Sequence, residues 1–587
     1  MTAKHFIHDP TELVSSALRS IPITNPSVAL DAENKTIYRR PGHDPQVSLI
    51  SGGGSGHEPS FAGFVGKGLL AAAVAGTIFA SPSAEQVRNA ILQRVDRERG
   101  ILVVVMNYTG DVLNFGMAVE KAKASGIDVE MVIVGDDVGV GRSQGGKVGR
   151  RGIAGTVLVQ KMAGALAAKG ASLEEVHKTA VLVSDNIVSV GASLDHVHVP
   201  GHPPPDPKSA ETLAAEEVEI GMGIHNEPGS QRVKANLPDL VGSMLAQLLD
   251  QSDKDRAFLE ISTKDFVVLL INNLGGVSPL ELGGITSEVI RRLTESYKIE
   301  PRVVLSGTYM TSLNGPGFSI TLLKLVDTKL GPGKSMLELL DAPAEATGWS
   351  GAIRLDSWER KSTATREETA AAAEEIRPST LKIDNTRAKK ALKSGLDQLI
   401  AAEPDLTKYD TEVGDGDCGI GLKRGAEAIT EMLNQNDSFD DAVVTTALVA
   451  QVVERTMDGT SGALYAIFLN SLAQSLRSVA PSRAADASPK FWSQALKLSL
   501  KALTKYTPAK VGDRTLMDAL YPFVETLEQS EDVKKAAAAA TEGTKNTKGM
   551  KASLGRTVYV GGDSWQEVPD PGAHGLSVFL EGLAAGL

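Results

Sequence analysis

The sequence predicts a multi-domain protein in which an α/β domain is followed by an all-α domain. As far as about residue 345, short apolar strands bounded by glycine alternate with helical segments, the pattern of an α/β fold. The tract 363–378 is rich in alanine and glutamate, has little to bury and indicates a linker. Beyond about residue 381, helical apolar spacing dominates. We therefore expect an α/β domain over 1–345, a linker over 346–380 and an all-α domain over 381–587.

Composition narrows the class of protein. The 587 residues carry a formal net charge of −12, unlike nucleic-acid binders, which usually present a basic face. The longest small-apolar stretch, 68–80, is too short for a membrane span. The single cysteine, Cys418, excludes an intrachain disulfide and fits a reducing compartment, and the opening residues lack the apolar segment of a secretory signal. We expect a cytoplasmic protein that binds neither nucleic acid nor membrane.

The first candidate site follows an early predicted strand, 47–50. This strand leads into S-G-G-G-S-G-H-E-P-S, 51–60, which we interpret as a glycine-rich turn before a helix. Such a turn can hold a small polar ligand against backbone N–H groups. It is not a Walker loop, because no G-K-[ST] follows. A plain surface turn is equally compatible with the local sequence.

A candidate base follows a later strand. Segments 69–74, 101–106 and 129–134 are predicted to be buried strands, and the second ends just before N-Y-T-G-D, 107–111. Ligands of α/β sheets bind beyond the carboxyl ends of strands, so Asp111 is placed to accept a proton from a substrate hydroxyl. The alternative role for Asp111 is a helix N-cap.

Two further segments carry weaker patterns. G-R-S-Q-G-G-K-V, 141–148, nearly matches a phosphate-binding loop, but Val148 lacks the hydroxyl that would bind Mg²⁺, and we interpret the segment as a flexible loop. His196, His198 and His202 suggest a metal. The first two are expected to alternate on a strand and the third follows Pro-Gly, which disfavours a metal site. A helix over 152–170 and strands over 266–271 and 303–305 are also predicted.

The segment I-G-M-G-I-H-N-E-P-G, 220–229, presents one histidine, His225, on a shaped loop. Glycine allows the backbone to approach a ligand closely, and proline stiffens the end of the loop. An imidazole can serve as metal ligand, general acid or base, or nucleophile. Only Glu227 is close in sequence and no H-x-x-x-H pattern follows, so a metal set is not evident. A hydrogen-bonded structural histidine is the alternative.

The C-terminal domain carries two motifs between its predicted helices, which cover 387–402, 420–434, 440–457, 462–476, 493–506, 515–527 and 532–545. Asp410, Asp415 and Asp417 are crowded between two helices and would repel one another unless a cation offset them; oxygen ligands select Mg²⁺ or Ca²⁺. D-G-T-S-G, 458–462, offers backbone N–H groups and hydroxyls that suit phosphate oxygens. A solvated turn and a helix cap are the alternatives, but the pair favours a Mg²⁺–nucleotide site. Loops 512–515 and 570–573 could close over the nucleotide.

Together these motifs resemble one family. They read, in chain order, G-G-G-S-G-H-E-P, N-Y-T-G-D-V-L-N-F-G, H-V-H-V-P-G, G-M-G-I-H-N-E-P-G, G-D-G-D-C-G, D-G-T-S-G-A-L-Y and G-D-R-T-L-M-D-A-L. Over nearly the whole chain they are similar to the ATP-dependent dihydroxyacetone kinase (glycerone kinase, triokinase) family. The resemblance implies a substrate-binding K domain of two α/β subdomains, then an L domain for ATP that is an eight-helix barrel. It also implies a homodimer acting on dihydroxyacetone and on D-glyceraldehyde.

The resemblance also implies residue roles. His225 binds the substrate carbonyl as a covalent hemiaminal, Asp111 is the base, and His57 is a supporting hydrogen bonder. The implied substrate contacts are Gly54, Ser55, Gly56, His57 and Asp111. Two Mg²⁺ ions that accompany ATP are implied to bind Asp410, Asp415 and Asp417. The implied nucleotide contacts are Asp417, Cys418, Gly419, Thr460, Ser461, Arg514, Asp570, Pro571 and Gly572.

Two positions depart from the family pattern. The family usually has lysine before N-Y-T-G-D, and here it is Met106, which implies altered affinity or rate if that lysine touches substrate. Asp458 stands where the family often has glycine. Two other functions stay open: a lyase that cyclises FAD using the helical domain without His225, and a non-catalytic dihydroxyacetone-binding regulator. The intact aspartate triplet disfavours the regulator.

Overall fold

The computed structural model describes residues 4–42, 44–203, 212–351, 353–360, 376–436, 439–554, 556–559 and 564–587. The chain divides into two compact units, 1–364 and 365–587. The boundaries predicted at 345 and 381 stay predictions, and most of the predicted linker lies outside the described residues. Its described first part contacts the first unit, since the N–H of Gly348 donates to Gly63 O at 2.9 Å. Within the described ranges, no helix is both long and apolar enough to cross a membrane.

The first sheet of the first unit has six strands. They are β1 (Val28–Asp31), β2 (Thr36–Arg39), β3 (Ser48–Ser55), β4 (Ala72–Ile78), β5 (Ile101–Met106) and β6 (Val129–Val134). The spatial order is β1-β2-β4-β3-β5-β6, and β4, β3, β5 and β6 run parallel. All six residues of β5 are buried, as expected of an inner parallel strand covered on both faces.

The second sheet also has six strands, and it is mostly antiparallel. They are β7 (Ile187–Ser193), β8 (Val218–Ile220), β9 (Gln231–Val233), β10 (Val267–Asn273), β11 (Val303–Gly307) and β12 (Gly317–Lys324). The order is β11-β10-β12-β7-β8-β9, and only the β10–β11 pair is parallel. The loop that carries His225 therefore connects β8 to β9, the strand at one edge of this sheet.

Ten helices of the first unit's described residues accompany the sheets. They are α1 (Pro10–Thr24), α2 (Ala84–Asn89), α3 (Thr109–Ala124), α4 (Arg142–Gly145), α5 (Thr156–Ala168), α6 (Leu173–Asp185), α7 (Leu237–Leu249), α8 (Pro279–Ser296), α9 (Met336–Asp341) and α10 (Leu355–Arg360). Alternate residues of β5 enter different cores: Val104 packs in the cluster that contains α5, and Val103 in the one that contains α3. The first of these clusters includes residues of both sheets, so the two α/β subdomains share a core.

Where the structure describes it, the second unit is helical apart from the short pair β13 (Leu381–Lys382) and β14 (Ala485–Asp486). Its helices are α11 (Asn385–Ala401), α12 (Glu403–Val413), α13 (Cys418–Gln435), α14 (Ala442–Thr456), α15 (Gly459–Val479), α16 (Pro489–Leu503), α17 (Met517–Ser530), α18 (Val533–Lys545) and α19 (Pro571–Gly586). Eight of them contact in a closed ring, from α11 through α13 to α19 and back to α11, with α12 beside the ring. This is the expected eight-helix barrel, and it encloses an apolar cavity of about 850 Å³.

Several local expectations were wrong. The strand expected to end at residue 50 continues to Ser55, because 52–55 pair with β4, and only a 3-10 turn, Ala62–Phe64, follows the glycine-rich segment. His196 and His198 lie beyond the end of β7 rather than on a strand. The flexible loop expected over 141–148 begins with the short helix α4, which Asp255 holds by accepting the N–H of Ser143 at 2.7 Å.

Candidate functional site

The loop between β8 and β9 holds His225 in a fixed orientation through Glu227. One carboxylate oxygen, Oε1, lies 2.9 Å from His225 Nδ1, and the other, Oε2, accepts the backbone N–H of His225 at 2.9 Å. Burial would raise the pKa of Glu227, but the hydrogen bonds and charge of His225 outweigh burial and hold that pKa at about 2. Glu227 is therefore an anion that draws the proton of His225 Nδ1.

His57, just beyond β3, faces the opposite side of the imidazole. Its Nδ1 lies 2.9 Å from the carbonyl oxygen of Thr311, which can only accept, so Nδ1 carries the proton and Nε2 is an acceptor. That Nε2 lies 3.0 Å from His225 Nε2, which must then be the donor. Burial lowers the pKa of His57 to about 3, so His57 is neutral. In this state both ring nitrogens of His225 face acceptors.

Aromatic rings enclose the two histidines. The rings of Tyr108 and Phe79 meet His225 edge-on, with centroids 4.5 and 5.2 Å away, and Phe79 stacks on His57 at 5.4 Å. These contacts restrict rotation of the His225 ring, so its Nε2 keeps one direction. An imidazole held in this way can present its Nε2 to an electrophile in a constant orientation.

Asp111 lies in the first turn of α3 and is only 4% exposed. The N-cap alternative was wrong, because Tyr108 occupies that position. Its Oδ1 is buried without a hydrogen-bond partner among the described residues. Burial raises the pKa of Asp111 against the opposing effects of Ser81 and His225. A carboxylate with a raised pKa and a free oxygen is suited to accept a proton.

The glycine-rich strand end shapes the space beside these groups. A Cβ on Gly54 would lie 2.8 Å from Ala80 N and 2.9 Å from Phe79 Cα, so only glycine fits there. Gly56 has φ +106°, a conformation that favours glycine, and its N–H donates to Glu58 at 2.9 Å. The Ser55 hydroxyl donates to Gly76 O at 2.9 Å, which ties β3 to β4.

Sequence reasoning did not identify the partners that orient the histidines. Thr311 and Phe79 are far from His225 in the chain and lie in none of the motifs, and Tyr108 stands in N-Y-T-G-D without any local link to His225. Glu227 was noticed only as a poor metal ligand. Its position two residues after a histidine in a glycine-framed loop was the available signal for an orienting carboxylate.

In the helical unit, the three predicted aspartates come together. Asp410, Asp415 and Asp417 each offer a carboxylate oxygen, and these oxygens lie within 4.8 Å of one another. Asp410 is on the last turn of α12, not in a loop as expected, and its Oδ2 accepts the N–H of Cys418 at 3.0 Å. Three hard oxygens without histidine or thiol donors fit Mg²⁺.

Two helix N-termini meet beside these aspartates. Cys418 and Gly419 begin α13, and Thr460 and Ser461 lie in the first turn of α15. The Cys418 sulfur is 3.7 Å from the Ser461 hydroxyl oxygen, which brings the two first turns together. N–H groups of a helix's first turn have no partner within the helix and attract anions, so this arrangement can receive phosphate oxygens.

The remaining predicted nucleotide residues lie near the start of α19. Asp570 caps this helix by accepting the N–H of Ala573 at 2.7 Å, and Pro571 and Gly572 form its first turn, so 570–573 is not the loop expected. Burial raises the pKa of Asp570 to about 7. Arg514 is 2% exposed and donates to the carbonyls of Met550 and Val568 at 3.0 and 2.8 Å, while its Nε has no partner among the described residues.

Comparison with known proteins agrees with this architecture. Residues 19–348 match the Dak1 domain and 412–585 match the DAK2 domain. Dihydroxyacetone kinase 1 of Saccharomyces cerevisiae is 43% identical over 602 residues, covering 100% of both chains. Triokinase/FMN cyclase of Homo sapiens is 36% identical and covers 99% of both.

A solved structure extends this likeness to both units. The crystal structure of the dihydroxyacetone kinase from C. freundii in complex with AMP-PNP and Mg²⁺ is 31% identical, covers 100% of both chains and superposes with a TM-score of 0.62. The similarity to these proteins extends over the full length of the chain, and the two domain matches occur in the predicted order. The chain belongs to the dihydroxyacetone kinase family.

Proposed function

We propose that this chain transfers the terminal phosphate of ATP to dihydroxyacetone, giving dihydroxyacetone phosphate and ADP, and that it also accepts D-glyceraldehyde. The observation that carries the proposal is the His225 imidazole. It is oriented by Glu227 on one side and His57 on the other, and its charge lowers the pKa of the buried Asp111 carboxyl against the effect of burial. The family membership of the chain and the nucleotide analogue bound by its C. freundii relative support the same reading.

His225 is the residue that captures the substrate. Its Nε2 loses a proton and bonds to the carbonyl carbon, while the carbonyl electron pair moves to oxygen, which gains a proton. The hemiaminal therefore adds the whole mass of one dihydroxyacetone to the protein. Glycerol has no carbonyl and cannot form this bond, so capture selects ketones and aldehydes over polyols. It also orders a small ligand that offers little apolar surface.

Asp111 accepts the proton of the attacking hydroxyl, since its buried carboxylate has a raised pKa and an oxygen without a partner. Asp410, Asp415 and Asp417 would hold Mg²⁺ with ATP, and we propose two ions. Mg²⁺ held there would supply positive charge that offsets the charge of the phosphate groups. The first turns of α13 and α15 direct N–H groups to the phosphate oxygens. Arg514 holds the segment before α19 through its two carbonyl contacts.

The test combines turnover with direct observation of the adduct. ADP release is measured with dihydroxyacetone, D-glyceraldehyde and glycerol, and intact mass is recorded under gentle conditions with dihydroxyacetone. We expect turnover with the first two substrates only, and an adduct that His225→Ala abolishes. His177→Ala, on α6, is the matched control and should keep both. An adduct that persists in His225→Ala would refute the role of His225.

A second activity has a specific basis. The 36% identical human relative is named both triokinase and FMN cyclase, which supports a cyclising FAD-AMP lyase activity in the helical unit as the alternative. Such activity should survive His225→Ala, whereas kinase activity should not. Absence of any ATP turnover would instead favour a non-catalytic dihydroxyacetone-binding regulator. We further propose a cytoplasmic homodimer, which light scattering can test.

A further inference from the structure

We propose that Arg151 is a positioning residue that limits how tightly Glu227 holds the proton of His225, and that it thereby sets the pH range in which His225 captures a carbonyl substrate. This inference rests on the covalent capture proposed above. Arg151 lies outside every motif that identified the family. It follows the segment expected to be a flexible loop.

The guanidinium of Arg151 is held from three sides. Its Nε and one terminal nitrogen lie 2.9 and 2.8 Å from Asp137 Oδ2. The same terminal nitrogen donates to Gly221 O at 2.6 Å, at the start of the His225 loop. The other terminal nitrogen lies 4.0 Å from Glu227 Oε2. The side chains of Arg151, Asp137 and Glu227 are 13%, 1% and 32% exposed, so water screens the pair with Asp137 little and the pair with Glu227 only in part.

The segment before Arg151 is fixed rather than mobile. The Asn107 side-chain amide donates to the carbonyls of Val148 and Arg150, both at 2.7 Å. Farther back, Arg142 donates its backbone N–H to Asp255 O at 3.0 Å. The guanidinium therefore reaches Glu227 from a backbone that is held at both ends of 142–150.

One glycine makes this approach possible. A Cβ on Gly223 would lie 2.0 Å from Glu227 Oε2 and 2.4 Å from the nearest nitrogen of Arg151. Any side chain at this position would separate the carboxylate from the guanidinium. The glycine pattern of the loop is thus explained by the contact between these two charges as well as by access to ligand.

The consequence for His225 follows from charge. An unopposed Glu227 would stabilise the imidazolium form, in which Nε2 has no lone pair for attack. The positive charge of Arg151 weakens that stabilisation and so favours the neutral imidazole. Two side chains of the described residues lie within ion-pair distance of Glu227. One is His225 itself, and the other is Arg151. The other titratable groups that face this cluster are Asp111, His57, Tyr108 and Asp137.

The experiment follows the adduct as a function of pH. Full-length protein is incubated with dihydroxyacetone labelled with ¹³C at the carbonyl, and NMR measures the fraction converted to the hemiaminal carbon. In Arg151→Met the midpoint of adduct formation should rise by about one pH unit, a tenfold change in proton affinity. Arg151→Lys should recover part of the shift. Asp137→Asn, which leaves the Arg151 charge less neutralised, should move the midpoint the other way.

The control is Arg142→Met, which removes the guanidinium hydrogen bonds to the carbonyl oxygens of Lys254 and Ala257, both at 2.9 Å, without removing a charge beside Glu227. It should leave the midpoint in place even if it lowers adduct occupancy. An unchanged midpoint in Arg151→Met, with the adduct still formed, would overturn the inference. If Arg151→Met does not fold, an unmoved midpoint in both Arg151→Lys and Asp137→Asn would overturn it. Absence of an adduct in the unaltered protein at every pH would instead refute covalent capture itself.

Discussion

Replacing Asp417 with asparagine should stabilise the metal-free protein while removing its response to Mg²⁺. The carboxylate oxygens of Asp410, Asp415 and Asp417 lie within 4.8 Å of one another. At that separation two like charges repel by about 1 kcal/mol in a water-like dielectric, and the figure is larger where burial reduces screening. Asp417→Asn removes two such pairs, or about 2 kcal/mol of repulsion.

An opposing effect reduces this gain. Asp417 occupies the N-cap of α13, where a negative charge favours the helix by about 0.3–1 kcal/mol. The net stabilisation is therefore about 1 kcal/mol, which raises the melting temperature of a unit of this size by about 2–4 °C. A ligand at a hundred times its Kd stabilises by about 2.7 kcal/mol. In saturating Mg²⁺ the unaltered protein should therefore melt at a higher temperature than Asp417→Asn.

Thermal unfolding of the full chain, in EDTA and in saturating Mg²⁺, measures both effects. Asp397→Asn, which disrupts an exposed ion pair with Lys393 on α11, is the control and should respond to Mg²⁺ like the unaltered protein. The kcat of Asp417→Asn should fall nearly as far as that of the triple Asp→Asn variant, because the aspartates act as one unit. A large loss of stability in EDTA, or kinetic losses that multiply across sites, would mean that the cluster is a structural turn.

Three other predictions concern the first unit. Met106→Lys should change the KM or kcat for dihydroxyacetone and leave ATP affinity unaltered; because Met106 is 1% exposed, a fall in melting temperature should accompany it. Burial lowers the pKa of Lys161 from 10.5 to about 7. Between these two pH values the unfolded chain binds a proton that the folded chain lacks, so the free energy of unfolding rises with pH. Lys161→Met should make that rise smaller, as measured by thermal unfolding at several pH values. Gly54→Ala should abolish dihydroxyacetone binding in calorimetry because its Cβ meets backbone at 2.8 Å, whereas Gly283→Ala, in open space on α8, should stabilise by roughly 0.5–1 kcal/mol.

The architecture could be predicted because apolar periodicity and domain order are properties of the sequence itself. The two helices of the second unit that were missed show where periodicity fails. In α12 only Leu406, Asp410 and Val413 are buried, so the apolar pattern is faint. In α19, glycine disfavours a helix intrinsically, yet a Cβ on Gly582 would lie 2.6 Å from Ser394 O on α11. The close packing of α19 against α11 requires glycine at this position. The stabilisation from that packing outweighs the low helix propensity of glycine.

The site was predictable in its residue types and not in its contacts. His225, Asp111 and the aspartate triplet stand in distinctive local patterns. The contact between the Nε2 atoms of His57 and His225 joins residues 168 positions apart, and no local pattern encodes it. Arg151 had no signal, because its role depends on where Gly223 allows two charged groups to meet.

The span of the chain that builds the His225 pocket has a consequence for synthesis. His57 and His225 are both made before Thr311, the carbonyl that fixes the proton on His57 Nδ1 and lies 254 positions after it. At typical translation rates of about 5–20 residues per second, on the order of ten seconds separates His225 from Thr311. During that interval a nascent chain carries both imidazoles without the partner that sets their hydrogen bonding. If His225 captures the carbonyl as proposed, ordered capture should begin only after Thr311 has been added to the chain.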